Sequence, residues 1–181
     1  MIARFTGFGG QGVLLLGQVY GSAAVQEGKR ALQTQSYGSS ARGGSSRSDL
    51  TIRDEPINEL EAEYADVIVC MSQPAFERYG HTVAPGGTLI YDSNLVKPAP
   101  TKAARTLGVP ATQMAKDRFG SEMFANTLLL GFTAQVIGVV DPDAVRDALL
   151  ARIPRKVEEN RQAFELGRLL AREALGPCND A

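Results

Sequence analysis

The chain's most constraining stretch is Gly7-Phe8-Gly9-Gly10-Gln11-Gly12, where four of six residues are glycine and both flanks carry strong secondary-structure signals. Ahead of it, Ile2 to Thr6 reads as a short strand. Behind it, Val13, Leu16, Val19, Tyr20, Ala23 and Ala24 recur at helical spacing, which predicts a helix from Val13 to Gln26 ended by Gly28. Arg30 to Gln35 then alternates as a second strand. Strand, glycine turn, helix and strand in this order open a βαβ unit. Glycines at such a turn let the backbone fold tightly and bring its N–H groups up to an anion at the helix N-terminus, where the helix dipole is favourable. The plainer reading is that they only let the helix pack closely on the first strand.

G-x-G-x-x-G in this setting raises a dinucleotide site, and the second strand argues against one. An NAD site needs an acidic residue near the end of that strand for the ribose hydroxyls, and Arg30-Ala-Leu-Gln-Thr-Gln35 has none. Lys29 and Arg30 lie at the wrong end to take a 2′-phosphate. No Gly-Lys-Ser/Thr follows the glycines, so a P-loop is excluded as well. The turn can still hold a phosphate.

From Ser36 to Arg47 the pattern breaks, with Gly38, Gly43, Gly44 and five serines in a stretch too polar for a core element. Loops of this length inside compact domains are often functional. This one leaves the C-terminal end of the second strand, the edge where open α/β sheets place ligands, so it is expected to return beside Gly9 to Gly12. Arg42 offers a planar donor fork for phosphate or carboxylate, and Gly43-Gly44 leaves backbone donors uncovered. The plainer reading is a solvated surface loop.

The rest of the chain extends the α/β pattern. Ser48 to Arg53 is expected as a strand antiparallel to its neighbour, because a loop and not a helix precedes it. Val67 to Met71, Thr88 to Tyr91 and Arg105 to Val109 read as further strands, with a helix from Pro74 to Tyr79. Helices are then expected from Ser121 to Val140, Pro142 to Leu150 and Pro154 to Leu175, the last with a stripe of Val157, Phe164, Ala171 and Leu175. A single domain over residues 1–176 with a frayed tail at 177–181 follows.

Composition removes several functions. A formal net charge of -1 gives no electrostatic case for nucleic acid. The apolar stretch from Leu128 to Val140 is short for a membrane span and contains Gln135, so a buried helix is expected and no membrane partner. Cys70 in an apolar run and Cys178 in the tail suggest no disulfide, consistent with a cytoplasmic protein. Without C-x-x-C, no iron–sulfur or zinc site is expected within the chain. His81, the only histidine, is expected at the surface far from the glycine turn. No nucleophile–base pair or close carboxylate pair is visible, so no catalytic residue is assigned.

Taken together, Gly7-Phe8-Gly9-Gly10-Gln11-Gly12-Val13, Gln33-Thr34-Gln35-Ser36-Tyr37-Gly38 and Ala41-Arg42-Gly43-Gly44-Ser45 resemble the gamma subunit of the 2-oxoacid:ferredoxin oxidoreductases. The resemblance continues through Val109-Pro110-Ala111-Thr112, Asn126 ahead of Leu130-Gly131, and Lys156 to Asn160, Ala163-Phe164 and Gly167, spanning nearly the whole chain. Phe8 and the Ser-Tyr-Gly…Arg-Gly-Gly-Ser loop look most like the 2-oxoglutarate branch. The pyruvate branch tends to carry arginine in place of Phe8.

The resemblance implies an α/β, three-layer Rossmann-like domain with a mostly parallel, mixed sheet and a helical C-terminal region. It also implies an assembly. Thiamine-binding alpha and beta subunits would hold thiamine diphosphate, and a ferredoxin-like subunit or domain would hold iron–sulfur clusters. The complex would decarboxylate 2-oxoglutarate oxidatively, form succinyl-CoA and pass electrons to ferredoxin. This chain would assist assembly and coenzyme A positioning through Gly9, Gly10, Gln11, Gly12, Ser36, Tyr37, Arg42, Gly43, Gly44 and Asn126. The alternatives are the same role with pyruvate, a branched-chain or an aryl 2-oxoacid, or a stand-alone nucleotide-binding regulatory module.

Overall fold

A computed structural model describes residues 1–37, 45–58 and 62–176. Six strands form one sheet: β1 (Ile2–Phe8), β2 (Arg30–Tyr37), β3 (Ser45–Arg53), β4 (Ala65–Cys70), β5 (Val83–Asp92) and β6 (Arg105–Val109), in the order β2-β3-β1-β4-β5-β6. The ladders β1–β4, β4–β5 and β5–β6 are parallel, whereas β3 runs antiparallel to both β1 and β2. The mixed sheet matches the expected fold class, and β3 takes the antiparallel sense its loop connection implied. The opening unit differs in one respect. β2 does not lie beside β1, because β3 is inserted between them.

Helices α1 (Val13–Gln26), α4 (Ala125–Ile137), α5 (Pro142–Arg152) and α6 (Val157–Leu175) gather with α3 (Ala111–Phe119) into the larger part of the core. The alternation of β1 sorts its side chains: Ala3 and Phe5 join that core, while Arg4 and Thr6 face the other side. There α2 (Gln73–Tyr79) covers a smaller cluster built on Ile68, Cys70, Phe76, Val83 and Leu89. α4 is apolar nearly all round because it lies inside, between the sheet and α6, as its sequence predicts. No described helix is long and apolar enough to cross a membrane.

Several element ends differ from the sequence reading. β2 continues to Tyr37 and β3 already begins at Ser45, so the break between them narrows to residues 38–44, which lie outside the described residues. Ser45, Ser46 and Ser48 are buried in β3 despite their polarity. Ser48 sits where a Cβ on Gly17 of α1 would come to 2.5 Å from its hydroxyl, so helix and strand touch through small residues. The helix expected from Ser121 starts with a 3-10 turn, Glu122–Phe124, before α4. α6 begins at Val157 and not at Pro154, because Lys156 takes a left-handed conformation (φ 52°) that an α-helix cannot contain. Within its expected stripe Phe164 and Ala171 are buried, but Val157 and Leu175 at the two ends are exposed.

Candidate functional site

The glycine turn stands at the C-terminal end of β1 and runs directly into α1. Its geometry is set by two left-handed glycines, Gly10 (φ 96°) and Gly12 (φ 77°), conformations in which a side chain is strained. Gln11 locks the turn with its own amide: Oε1 accepts from the Phe8 N–H at 2.7 Å, and Nε2 donates to the Met71 carbonyl at 2.9 Å. The side chain thereby ties the ends of β1 and β4 together. It folds back over Gly7, where a Cβ would come to 2.5 Å from Oε1, which explains the first glycine of the motif.

Gly9 and Gly10 are different. Both are exposed, and a Cβ built on either would meet nothing within 4 Å. The chain itself gives Gly9 no packing reason to be glycine. Gly12 is the opposite case, since a Cβ there would run into the Asn126 Nδ2. α1 starts at that point with no side-chain cap and no acidic residue in its first turn, so its leading N–H groups and its positive dipole end are left for water or a ligand.

Asn126 is thus brought onto the glycine turn from a position far along the chain. Its Oδ1 accepts from the Thr127 N–H at 2.6 Å, which turns its NH2 group toward Gly12. The Thr127 hydroxyl donates to the Asn160 Oδ1 at 2.8 Å, and Asn160 Nδ2 donates to the Lys156 carbonyl at 2.8 Å. A polar chain therefore runs from the turn through α4 to the start of α6. Sequence order separates these residues widely, and only the α4–α6 packing joins them.

The second sequence segment reaches the same edge. Tyr37 pairs with Ser46, and Ser46 in turn pairs with Gly7, while Ser45 pairs with Phe8. Ser36 lies one residue earlier, opposite Arg47, and is half-buried. Tyr37 and Ser45, which flank positions 38–44, are therefore anchored in the rows that end at the glycine turn. Arg42, Gly43 and Gly44 themselves lie outside the described residues, as does the side chain of Tyr37.

Two clefts open on either side of a wall formed by Met123 and Asn126. One, of about 310 Å³, takes in Gly10, Gln11, Leu95 and the carboxylate-bearing Glu122. The other, of about 490 Å³, is walled by Leu15, Phe124 and Ile153 and includes Arg155 and Lys156. Sequence reasoning missed this second cleft, because Pro154-Arg155-Lys156 reads locally as the beginning of a helix.

His81 is exposed in the 3-10 turn Gly80–Thr82 that precedes β5, at the opposite end of the parallel strands from the glycine turn. Cys70 is fully buried in β4, where burial pushes its thiol up to about 12 against the weaker opposing effect of the Thr6 hydroxyl. At neutral pH it stays a packed thiol.

A mixed sheet with an open glycine turn at the C-terminal end of its first strand places the molecule in the Rossmann-like class of α/β domains. The family model described as pyruvate ferredoxin/flavodoxin oxidoreductase matches residues 2–170, and the chain belongs to that family. It is 36% identical over 174 residues to the 2-oxoglutarate synthase subunit KorC of Methanocaldococcus jannaschii, covering 94% of this chain and 93% of that protein. The crystal structure of the keto/oxoacid ferredoxin oxidoreductase gamma subunit from Geobacter sulfurreducens is 38% identical, with a TM-score of 0.83 over 94% of this chain and 97% of that one. The 2-oxoglutarate:ferredoxin oxidoreductase of Magnetococcus marinus, solved with 2-oxoglutarate, coenzyme A and succinyl-CoA bound, shares the fold at a TM-score of 0.84. Its identity is 21%, over 99% of this chain and 32% of that longer chain.

Proposed function

We propose that this chain is the gamma subunit of a 2-oxoglutarate:ferredoxin oxidoreductase, and that its glycine edge helps to assemble the complex and to position coenzyme A. In this reading the decarboxylation, the acyl transfer to coenzyme A and the electron transfer to ferredoxin are carried out with thiamine diphosphate and iron–sulfur clusters held by companion alpha, beta and ferredoxin-like subunits. End-to-end similarity to a 2-oxoglutarate synthase subunit supports the substrate. The observation that carries the role of the edge is the pair Gly9 and Gly10. They stand exposed, with open space where side chains would be, beside the uncapped start of α1 and directly after the Phe8–Ser45 pair that ends the β1–β3 ladder. Backbone left bare at a helix N-terminus suits close approach by a phosphate or by a partner's surface.

The test is reconstitution with the companion chains. Tagged wild-type protein should co-purify with larger thiamine-binding subunits, and Arg42→Ala should raise the apparent KM for coenzyme A while release of carbon dioxide from 2-oxoglutarate proceeds. An unchanged dependence on coenzyme A would remove the loop from that role. A monodisperse chain that binds a nucleotide unaided and captures no partner would point to a regulatory module and overturn the proposal.

A further inference from the structure

The two edges of the sheet are finished differently. β6 is five residues long, opens on the exposed Arg105 and runs into Pro110, features that keep an edge from pairing with another strand. β2 is eight residues long and keeps an unbroken register with β3 from Arg30 to Tyr37. It has no proline, no bulge and a single charge, Arg30, at its start. Its outward N–H and C=O groups are thus presented without any device that turns a second strand away.

Above this edge, α1 and β2 border an open groove of about 490 Å³ whose lining holds no Asp or Glu. The helical wall is one flank of α1, made by Gln18, Gly21 and Val25 and continued to Leu14 at the same helical spacing. Val25 is 55% exposed, and Leu14 and Leu32 are half-buried. Among the described residues none of these three apolar side chains packs into either core cluster.

The three share a centre. A Cβ on Gly17 would meet the Gln33 amide, and one on Gly21 would stand 3.7 Å from the Ala31 Cβ. Leu32 is therefore level with the middle of the turn between Gly17 and Gly21, and Leu14 and Val25 lie to either side of that same level. One two-fold axis through Leu32, normal to the sheet, then does two things at once. It pairs β2 antiparallel with its symmetry mate, Leu32 facing itself, Ala31 facing Gln33 and Arg30 facing Thr34. On the α1 side of the sheet it sets Leu14 of each copy toward Val25 of the other. A foreign strand would use the edge alone and would not need the helix flank and the strand to agree on a centre.

An interface between identical chains has to complement itself. This one meets that condition, because no carboxylate lies in it and the strand pairing sets no like charges opposite each other. Arg152, the cation of the groove, is held to Gln18 of its own α1 at 2.7 Å. One strand edge with one helix flank amounts to total buried surface on the order of 1,200 Å², the lower end for specific interfaces.

We propose that the β2 edge and the Leu14–Val25 flank of α1 form an interface between two copies of this chain, which joins their sheets into one across Leu32. The proposal is independent of the proposed function, since the interface lies away from the glycine turn and uses none of its residues.

The test follows the full-length chain, alone and in the reconstituted complex. Sedimentation of the purified chain across the micromolar range should show a monomer–dimer equilibrium. Leu32→Lys sets two ammonium groups opposite each other on the axis and should raise the dimer Kd about tenfold or more, with the melting temperature unchanged. Val25→Lys should act in the same direction. In a Cys178→Ser background, Leu32→Cys should form a covalent dimer on mild oxidation, because directly paired Cα atoms lie about 4.5–5.5 Å apart, within the reach of a disulfide. Thr34→Cys should not, because the same axis holds its two copies about 14 Å apart along the strands. The Leu32→Cys dimer should form in the complex as well as in the free chain.

A chain that stays monomeric at every concentration, with no Leu32→Cys dimer free or in the complex, overturns the proposal. Cross-linking of Thr34→Cys in preference to Leu32→Cys overturns the axis. A Leu32→Cys cross-link to a companion subunit gives the edge to that partner and overturns the assignment to a second copy. None of these outcomes touches the proposed function, which stands or falls on Arg42→Ala and on co-purification.

Discussion

Four glycines that look alike in the sequence do different work in the fold, and the difference is measurable. Gly7 makes room for the Gln11 side chain, Gly10 and Gly12 supply left-handed backbone, and Gly12 also lies against Asn126. Gly9 does none of these. Gly9→Ala should therefore leave the melting temperature of the purified chain unchanged or slightly raised, since the substitution restricts only the unfolded state, an effect of about 0.4–1 kcal/mol. Gly12→Ala should destabilise the chain by about 1–2 kcal/mol for the left-handed backbone alone, with more for the displaced amide, and lower its melting temperature accordingly. In the reconstituted complex Gly9→Ala should nevertheless impair coenzyme A dependence or assembly, because something outside the chain needs the bare backbone. Full activity of that variant would reduce the open turn to a local accident. The motif was legible from sequence, as was the approach of the Ser36 segment. Gln11 was not legible as a staple, because its partner is the Met71 carbonyl just past the end of β4, sixty residues away.

At the scale of elements, the sequence spoke clearly wherever local signals agreed. α1 and β6 run over the expected residues, because the helix has both its apolar period and its Gly28 stop, and the strand is bounded by Pro110. α3 gave no such signal. Only Ala111 and Ala115 of its nine residues are buried, and its cap comes from a distant strand: Asp92 at the end of β5 accepts from the Thr112 N–H at 3.0 Å. The start of β3 looked like loop because Ser45 and Ser46 carry no apolar or β-branched signal, although both are buried in the strand. Likewise, the polar chain from Asn126 to Lys156 could not be read from spacing, since it depends on how α4 and α6 cross. They cross backbone to backbone. A Cβ on Gly131 would strike the Phe164 carbonyl, and one on Gly167 would strike the Leu128 carbonyl. Gly167→Ala should force these helices apart and cost about 1–3 kcal/mol, lowering the melting temperature by roughly 2–4 °C per kcal/mol in a chain of this size. A stable variant with wild-type Tm would show that the helices have room to spare.

Across the whole molecule the two faces of the sheet are held by different forces. The large core lies on the α1, α4 and α6 side, whereas among the described residues the opposite face buries a smaller cluster of seven under α2. That poorer face is closed by Arg4, a charged residue that is 1% exposed. Its guanidinium grips Asp49 of β3 through two bonds of 2.8 and 2.9 Å. It also donates to the Ala62 carbonyl at 2.8 Å and to the Thr82 hydroxyl at 2.5 Å. One side chain thus joins β1, β3, the segment before β4 and the turn before β5. A buried ion pair adds little when compared with a well-packed apolar alternative, but breaking one side of it strands a buried charge. Arg4→Met should therefore destabilise the chain by about 3–5 kcal/mol, with only Arg47, 3.5 Å away, left beside Asp49. Arg4→Met combined with Asp49→Leu should recover part of that loss, because the stranded carboxylate is gone while the carbonyls of Ala62 and Glu63 still lack a donor. Urea unfolding of the two single variants and the double variant checks this. A cost below about 1 kcal/mol for Arg4→Met, outside the range for a broken buried pair, would mean that the α2 face is held by its apolar contacts after all. Since Arg4 lies in the middle of β1 and not at its glycine end, whatever folded Arg4→Met protein enters the complex should keep the wild-type KM for coenzyme A, which separates the scaffold's stability from the work of its edge.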